Sequence, residues 1–308
     1  VTGKLVPQDS RDETAKLLIA RIGSSLPTKK SENPFLREIA ECITIESEYE
    51  LPLGWEWTPL GHVGIWASGC GFPTQYQGQS DGEFLFCKVS DMNLPGNERE
   101  IVATVHTINA DVLKKIGART NPAGTVVFPK IGGAIATHKR RMVIRPTIID
   151  NNCSGIQPIG LTDHRWLLLL MQSLDLTRYQ SGTSVPAVSQ GALDPIRIGL
   201  PPLAEQKRIV AKVDELMALC DRLEAQQQSR EEQSSQLARA SLARFATAPT
   251  PANLNYLFHP TYNISPADLR KSILTLALQG KLVPQNPKEE KAELAEFPRP
   301  TKTYGEQE

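Results

Sequence analysis

The sequence predicts a mixed α+β chain: one globular α/β domain over residues 49–200, followed by a long coiled-coil-forming helix and a shorter helix over 201–285. Three observations carry this. From Leu51 to about residue 200, short apolar runs are broken by Gly, Pro and Asn, the pattern of short strands and tight connections. After Pro201-Pro202 the chain reaches Phe245 without a Gly or a Pro. The hexapeptide Gly3-Lys4-Leu5-Val6-Pro7-Gln8 returns letter for letter as Gly280-Lys281-Leu282-Val283-Pro284-Gln285.

The repeat continues past its six letters: Asp9, Glu13 and Ala15 are echoed by Asn286, Glu290 and Ala292 at the same offset. Copies this far apart mark a unit of domain size, because solenoid repeats recur every ~20–50 residues. The chain therefore reads as one period of a longer tandem architecture. On that reading, residues 1–48 are the remnant of a preceding region plus a linker, and 286–308 are a tail.

In chain order, residues 9–22 read as a short amphipathic helix with Leu17, Leu18 and Ile22 on one side, and Gly23–Pro34 as a polar linker. Within the globular domain, Phe84–Val89, Thr125–Phe128, Arg141–Ile144 and Ile196–Leu200 are expected strands, and Leu161–Leu174 a helix. The long helix is expected over 202–246, roughly 65 Å at ~1.5 Å per residue. Its Ile209, Val213, Leu216, Cys220 and Leu223 fall at 4-3-4-3 spacing, the a/d seam of a coiled coil. The seam turns polar at Gln227, Arg230 and Ser234 and resumes at Leu237. A helix so long and two-sided needs a partner helix. The shorter helix, 265–279, opens with Ser265 as N-cap, Pro266 at the first helical position and Asp268 in the first turn. It carries Leu269, Ile273, Leu276 and Ala277 and stops at Gly280, the place of a left-handed C-cap.

The formal charge is zero, so any attraction to nucleic acid must come from local distribution. That distribution is uneven. Residues 112–149 hold no Asp or Glu, yet contain Lys114, Lys115, Arg119, Lys130, Lys139, Arg140, Arg141, Arg145 and His138. Such groups can neutralise phosphates, and arginine can pair with guanine O6 and N7; the plainer reading is a solvated basic face. Gly132-Gly133 within the stretch serves either a close phosphate approach or a hairpin turn. Thr183, Ser184 and Gln190 lie in a polar segment whose side chains suit phosphates or bases, and Lys88 follows an apolar strand. Trp55, Trp57 and Trp66 read as packing groups.

Five cysteines with no C-x-x-C pair speak against a disulfide framework or zinc cage and make a reducing cytoplasm the default. No apolar run reaches the ~18–20 residues of a membrane span. Enzymatic signatures are missing. Asn33-Pro34-Phe35 lacks the second proline of an amino-methyltransferase loop, and no phosphate-binding G-x-x-x-x-G-K-[ST] motif occurs. The five histidines lack metal-ligand spacing.

Leu51-Pro-Leu-Gly-Trp-Glu-Trp57, Gly182-Thr-Ser-Val-Pro186, Ile198-Gly-Leu-Pro-Pro-Leu-Ala-Glu-Gln-Lys-Arg-Ile209 and Leu276-Ala-Leu-Gln-Gly-Lys-Leu-Val-Pro-Gln285 occur in this order. Together they resemble the specificity subunit of type I restriction-modification enzymes. The resemblance implies a target-recognition domain for double-stranded DNA and a helical region that spaces two half-sites of a split target. It implies docking to methyltransferase subunits, with Glu205, Gln206 and Arg208 as a candidate surface or simply as helix-start compensation, and to restriction subunits through them. It places S-adenosylmethionine, ATP and Mg on those partners and leaves this chain non-catalytic. Family members have two recognition domains and this chain has one, so the resemblance further implies a half-sized subunit or a fragment. The expected assembly is an antiparallel homodimer joined through Ile209, Val213, Leu216, Cys220, Leu223, Leu237 and Ile273. The rival from another class is a coiled-coil adaptor that does not read DNA.

Overall fold

The computed structural model describes residues 4–25, 50–160 and 162–283. The repeat's second copy beyond Val283, its echoes at Asn286, Glu290 and Ala292, the tail and most of the linker lie outside them. Two compact units divide the chain, Val1–Met217 and Ala218–Glu308.

In the first unit, helix α1 runs Ala15–Ser25 rather than 9–22. Asp9 explains the late start. Its carboxylate accepts the backbone N–H and the guanidinium of Arg11, and its carbonyl accepts the N–H of Asp12 at 3.1 Å. That local turn competes with helix. At its other end α1 runs through Gly23, which had been assigned to the linker.

The globular domain is built on two sheets. A five-stranded sheet takes the order β2 (Gly64–Ser68), β9 (Cys153–Pro158), β6 (Val126–Pro129), β7 (Arg141–Val143), β4 (Glu100–Ile101). A three-stranded sheet takes β5 (His106–Ile108), β3 (Phe84–Cys87), β8 (Thr147–Ile149). Alternation along β6 fixes the layers. Val126 and Phe128 share a core with Trp166, Leu167 and Met171 of helix α3 (His164–Ser173). Val127, pointing the other way, meets Leu85, Cys87 and Ile149 of the smaller sheet. The far side of that sheet gathers Phe86, Ile108 and Ile148 against Val112 of helix α2 (Ala110–Lys115). Both faces of β3 and β6 are thus covered, which is why these strands are continuous apolar runs instead of alternating ones. Two small ribbons complete the domain: β1 (Glu56–Pro59) pairs with β12 (Arg197–Leu200), and β10 (Gln180–Ser181) with β11 (Ala187–Val188). A short helix, α4 (Gln190–Leu193), follows β11.

The long helix α5 runs Leu203–Thr247. Its first turns are anchored within the first unit. Glu205 is buried and accepts Trp55 Nε1 at 3.0 Å and Gln8 Nε2 at 2.7 Å. Gln206 accepts the N–H of Asp163 and donates to the carbonyl of Pro201, while Arg208 pairs with Asp12 at 2.6 Å. The first copy of the hexapeptide therefore ends in a contact with the foot of α5, 197 residues away. Ile209 is 3 % exposed in the domain core and Val213 packs against that core, so these two seam positions are satisfied inside their own unit.

In the second unit the C-terminal turns of α5 supply Ala238, Leu242, Phe245 and Ala246 to a small core with Leu257, Ile264, Leu269 and Leu276. The linking segment includes a short helix, α6 (Pro251–Leu254). Helix α7 (Pro266–Leu278) starts where the Ser265 hydroxyl accepts the N–H of Asp268 at 3.1 Å. It ends at Gly280, whose φ of 65° lets the Lys281 N–H reach back to the Leu276 carbonyl.

Candidate nucleic-acid interface

Strand register separates the acid-free stretch into two places. At one end of the sheets, the tight turn after β8 brings several strand ends together. The Asp150 N–H donates to the Cys87 carbonyl, Cys70 bridges to Asp150, and the Lys130 N–H donates to the Asn152 carbonyl at 2.9 Å. Lys88, Lys130 and, just ahead of β7, Lys139 therefore share this end. The β10–β11 loop joins them: the Val188 N–H donates to the Lys130 carbonyl and the Gly132 N–H to the Pro186 carbonyl at 2.7 Å. Thr183 and Ser184 are exposed at the tip of that loop. Gln190 sits alongside, donating to the Ser68 hydroxyl at 3.0 Å.

The opposite end carries the remaining cations. Arg145 lies in the turn between β7 and β8, and Asn121 bridges to Thr147 at the start of β8. Arg119 precedes Asn121, and Lys114 and Lys115 close α2, which leaves β5 where Ile108 pairs with Phe84. All four of these cations are exposed. A stretch continuous in sequence is thus two patches in space, because β6, β7 and β8 each reverse the chain within it.

Two expected contacts are withdrawn from the surface. Arg140 is 1 % exposed; its guanidinium donates to the carbonyls of Met171 and Leu174, closing the C-terminal end of α3, and lies over the Phe128 ring. Burial pushes its pKa down to about 10, so it is a charged group held in the core by carbonyls. Arg141 is half-buried, donating to the carbonyls of Arg140 and Met92, and burial lowers it too. Gly132-Gly133 form neither a hairpin turn nor an open phosphate cradle: they open a 3-10 turn, Gly132–Thr137, where Gly132 has a φ of 71° and spends its N–H on the Pro186 carbonyl. Glu205 and Gln206 are likewise enclosed, not an open docking surface, and burial raises the Glu205 carboxyl despite the bonds from Gln8 and Trp55.

The tryptophans are structural. Trp55 is buried against Glu205, Trp66 Nε1 donates to Asp194 at 2.7 Å, and Arg197 lies over the Trp57 ring. One group was only partly signalled in the sequence, through Lys88. Lys88 Nζ donates to Gln77 Oε1 at 2.9 Å and stands 3.3 Å from His106 Nε2. Phe72 lies under the ammonium, 5.3 Å from it, and stacks on Phe86. Gln77 and His106 both fall outside the basic stretch; the pairing of β3 with β5 brings His106 beside Lys88, and the bond to Lys88 brings Gln77 there.

Among the described residues, no cluster of three or more His, Cys, Asp or Glu side chains could hold a metal ion. No described helix is long and apolar enough to cross a membrane.

Along α5 the seam beyond Val213 is open. Leu216, Cys220, Leu223 and Leu237 are exposed, as is Ile273 on α7. The polar seam residues Gln227, Arg230 and Ser234 line a groove whose other wall includes Asp268, Ser272 and Thr275 of α7.

The chain is 28 % identical to the type I restriction enzyme EcoAI specificity subunit of Escherichia coli, over 95 % of this chain and 52 % of that protein. It is also 28 % identical to the EcoEI specificity subunit of the same organism, over 95 % of this chain and 51 % of that one. It thus spans about half the length of the curated relatives it matches. Among solved structures, the HsdS subunit from Thermoanaerobacter tengcongensis aligns with a TM-score of 0.46 at 21 % identity, covering 69 % of this chain and 48 % of that one. The family model described as the type I restriction modification DNA specificity domain matches residues 52–232, from the start of the globular domain to the middle of α5. The chain belongs to that family.

Proposed function

We propose that the chain reads one half of a bipartite target in double-stranded DNA and brings to it the methyltransferase subunits, and through them the restriction subunits, of a type I restriction-modification complex. The observation that carries this is the family match over a domain whose exposed Lys114, Lys115, Arg119 and Arg145, and whose Lys88, Lys130 and Lys139, occupy two ends of one rigid pair of sheets. In this role the chain supplies the address and performs no chemistry. S-adenosylmethionine, ATP and Mg would be held by the partner subunits. The assembly we infer is an antiparallel homodimer, each α5 laid along its copy through Leu216, Cys220, Leu223 and Leu237. The exposed seam leucines support this reading, and polar seam positions such as Gln227, Arg230 and Ser234 would fix the register of the paired helices.

The exposed seam also favours the rival, a helical adaptor that assembles proteins without reading DNA. Salt decides between them. Duplex affinity should fall steeply with salt, and Lys130→Ala should lower the slope by ~1 while leaving the fold intact. A chain that binds no duplex at low salt would be the adaptor. Expressed with its cognate methyltransferase, the chain should direct adenine methylation to a split palindromic motif. An asymmetric motif would replace the homodimer with a pair of different specificity chains.

A further inference from the structure

The Lys88 group contains a hydrogen-bonding deficit. His106 Nδ1 accepts the backbone N–H of Gly78 at 3.0 Å, so the proton of the neutral ring resides on Nε2. Nε2 then faces Lys88 Nζ at 3.3 Å, and an ammonium has three donors and no acceptor. The His106 Nε2–H thus faces an ammonium that cannot receive it, while that ammonium spends one of its three donors on Gln77 Oε1 and keeps others free. Burial and the neighbouring ammonium both hold the His106 pKa below its ordinary value, so the ring stays neutral and this tautomer persists.

The surroundings keep the two donors in place. Gln77 turns its Oε1 to the ammonium because its Nε2 is committed to the Phe72 carbonyl at 2.9 Å. The Asp91 carboxylate accepts the backbone N–H groups of Lys88 and Val105. Among the described residues no carboxylate forms an ion pair with the Lys88 ammonium. Phe72, stacked on Phe86 with a ring separation of 3.7 Å, meets His106 edge-on at 5.5 Å. Lys88 and His106 are half-buried, so they are ordered yet reachable. A fixed Nε2–H with no acceptor, beside an ammonium with donors to spare, is built for an acceptor supplied from outside.

We propose that Lys88 Nζ and His106 Nε2 together bind two adjacent acceptor atoms of duplex DNA, either O6 and N7 of one guanine or two oxygens of one phosphate. Gln77 and Phe72 are positioning residues. This deepens the DNA-reading function proposed above and rests on it. The pair stands at the same end of the sheets as Lys130, Thr183, Ser184 and Gln190, where a duplex would meet side chains able to touch both bases and backbone.

The test is selection of duplexes from a pool with randomised internal positions, using the full chain, followed by affinities at several salt concentrations. Lys88→Met removes one donor. His106→Phe removes the other and keeps a ring against Phe72. If the acceptor is guanine, both variants lose discrimination at one and the same G·C pair by about ten-fold or more. The base analogue 7-deazaguanine at that pair then costs the unsubstituted chain the same amount. If the acceptor is a phosphate, both variants weaken every duplex alike, and Lys88→Met lowers the salt slope by ~1. Thermal melts check folding, and Lys88→Arg, which keeps charge and donors, should retain most of the affinity. Variants that select the same sequence with unchanged affinity and slope overturn the proposal and leave DNA reading standing. An unsubstituted chain that enriches no duplex overturns both.

Discussion

The foot and the middle of α5 are written in the same heptad grammar and are used differently. At the foot, Ile209 and Val213 enter the core of the globular domain, and Glu205, Gln206 and Arg208 are bonded to Trp55, Gln8, Asp163 and Asp12. In the middle, Leu223 is 56 % exposed and Leu216 is 38 % exposed. A 4-3 repeat shows that a helix has an apolar face. What covers that face is decided by what the rest of the chain can bring to it.

The sharpest way to break the comparison is to charge the middle. Leu216→Glu with Leu223→Glu should abolish self-association at micromolar concentration, since each buried leucine is worth ~1.5–3 kcal/mol and two copies lose it. The denaturation midpoint of the globular domain should stay within experimental error. Sedimentation at several concentrations reads the first effect; a dimer of unaltered affinity would mean that another surface joins the copies. At the foot the outcome should be reversed. Ile209→Ala should destabilise the first unit by ~2–5 kcal/mol, read by urea unfolding, without touching any seam residue beyond Val213. A loss under ~1 kcal/mol would show that the foot is not part of the core.

The smallest expected effect is a pH dependence at Glu205. Its folded pKa is raised, chiefly by burial, so the folded state holds that proton more tightly than the unfolded chain. The contribution is present below the unfolded carboxylate pKa and is lost as pH rises through the folded value. Glu205→Gln removes it. The variant's unfolding free energy, compared with that of the unsubstituted chain, should therefore shift in the variant's favour on going from about pH 4 to pH 6. A difference that does not vary with pH would mean the side chain titrates alike folded and unfolded.

What was legible in the sequence was local. Ser265, Pro266 and Gly280 bracket α7 because caps act on the nearest turn, and the Gly- and Pro-free run before Phe245 is α5. The layering of β6 was only half legible: apolar runs announce buried strands but not which face meets which partner. The candidate site was less readable still. The basic stretch was visible, yet three reversals of the chain scatter it. Arg140 looks like its neighbours in sequence and differs from them only because the end of α3 offers it carbonyls. His106 and Gln77 carry no compositional mark; each matters through a bond to Lys88, 18 and 11 residues away. The hexapeptide announced itself by recurring, but its contact with Glu205 joins segments no pattern could connect.

The coverage of β6 on both faces has a consequence for how such a reader can change. Its amides should be among the last to exchange with solvent, opening only when the domain unfolds. The exposed Thr183–Ser184 loop hangs from that slow frame without belonging to it. On the DNA-reading function proposed above, substitutions there would alter which groups meet the double helix while the frame's melting is left alone. If that function holds, a new address could be written one loop at a time, with each intermediate still a folded protein.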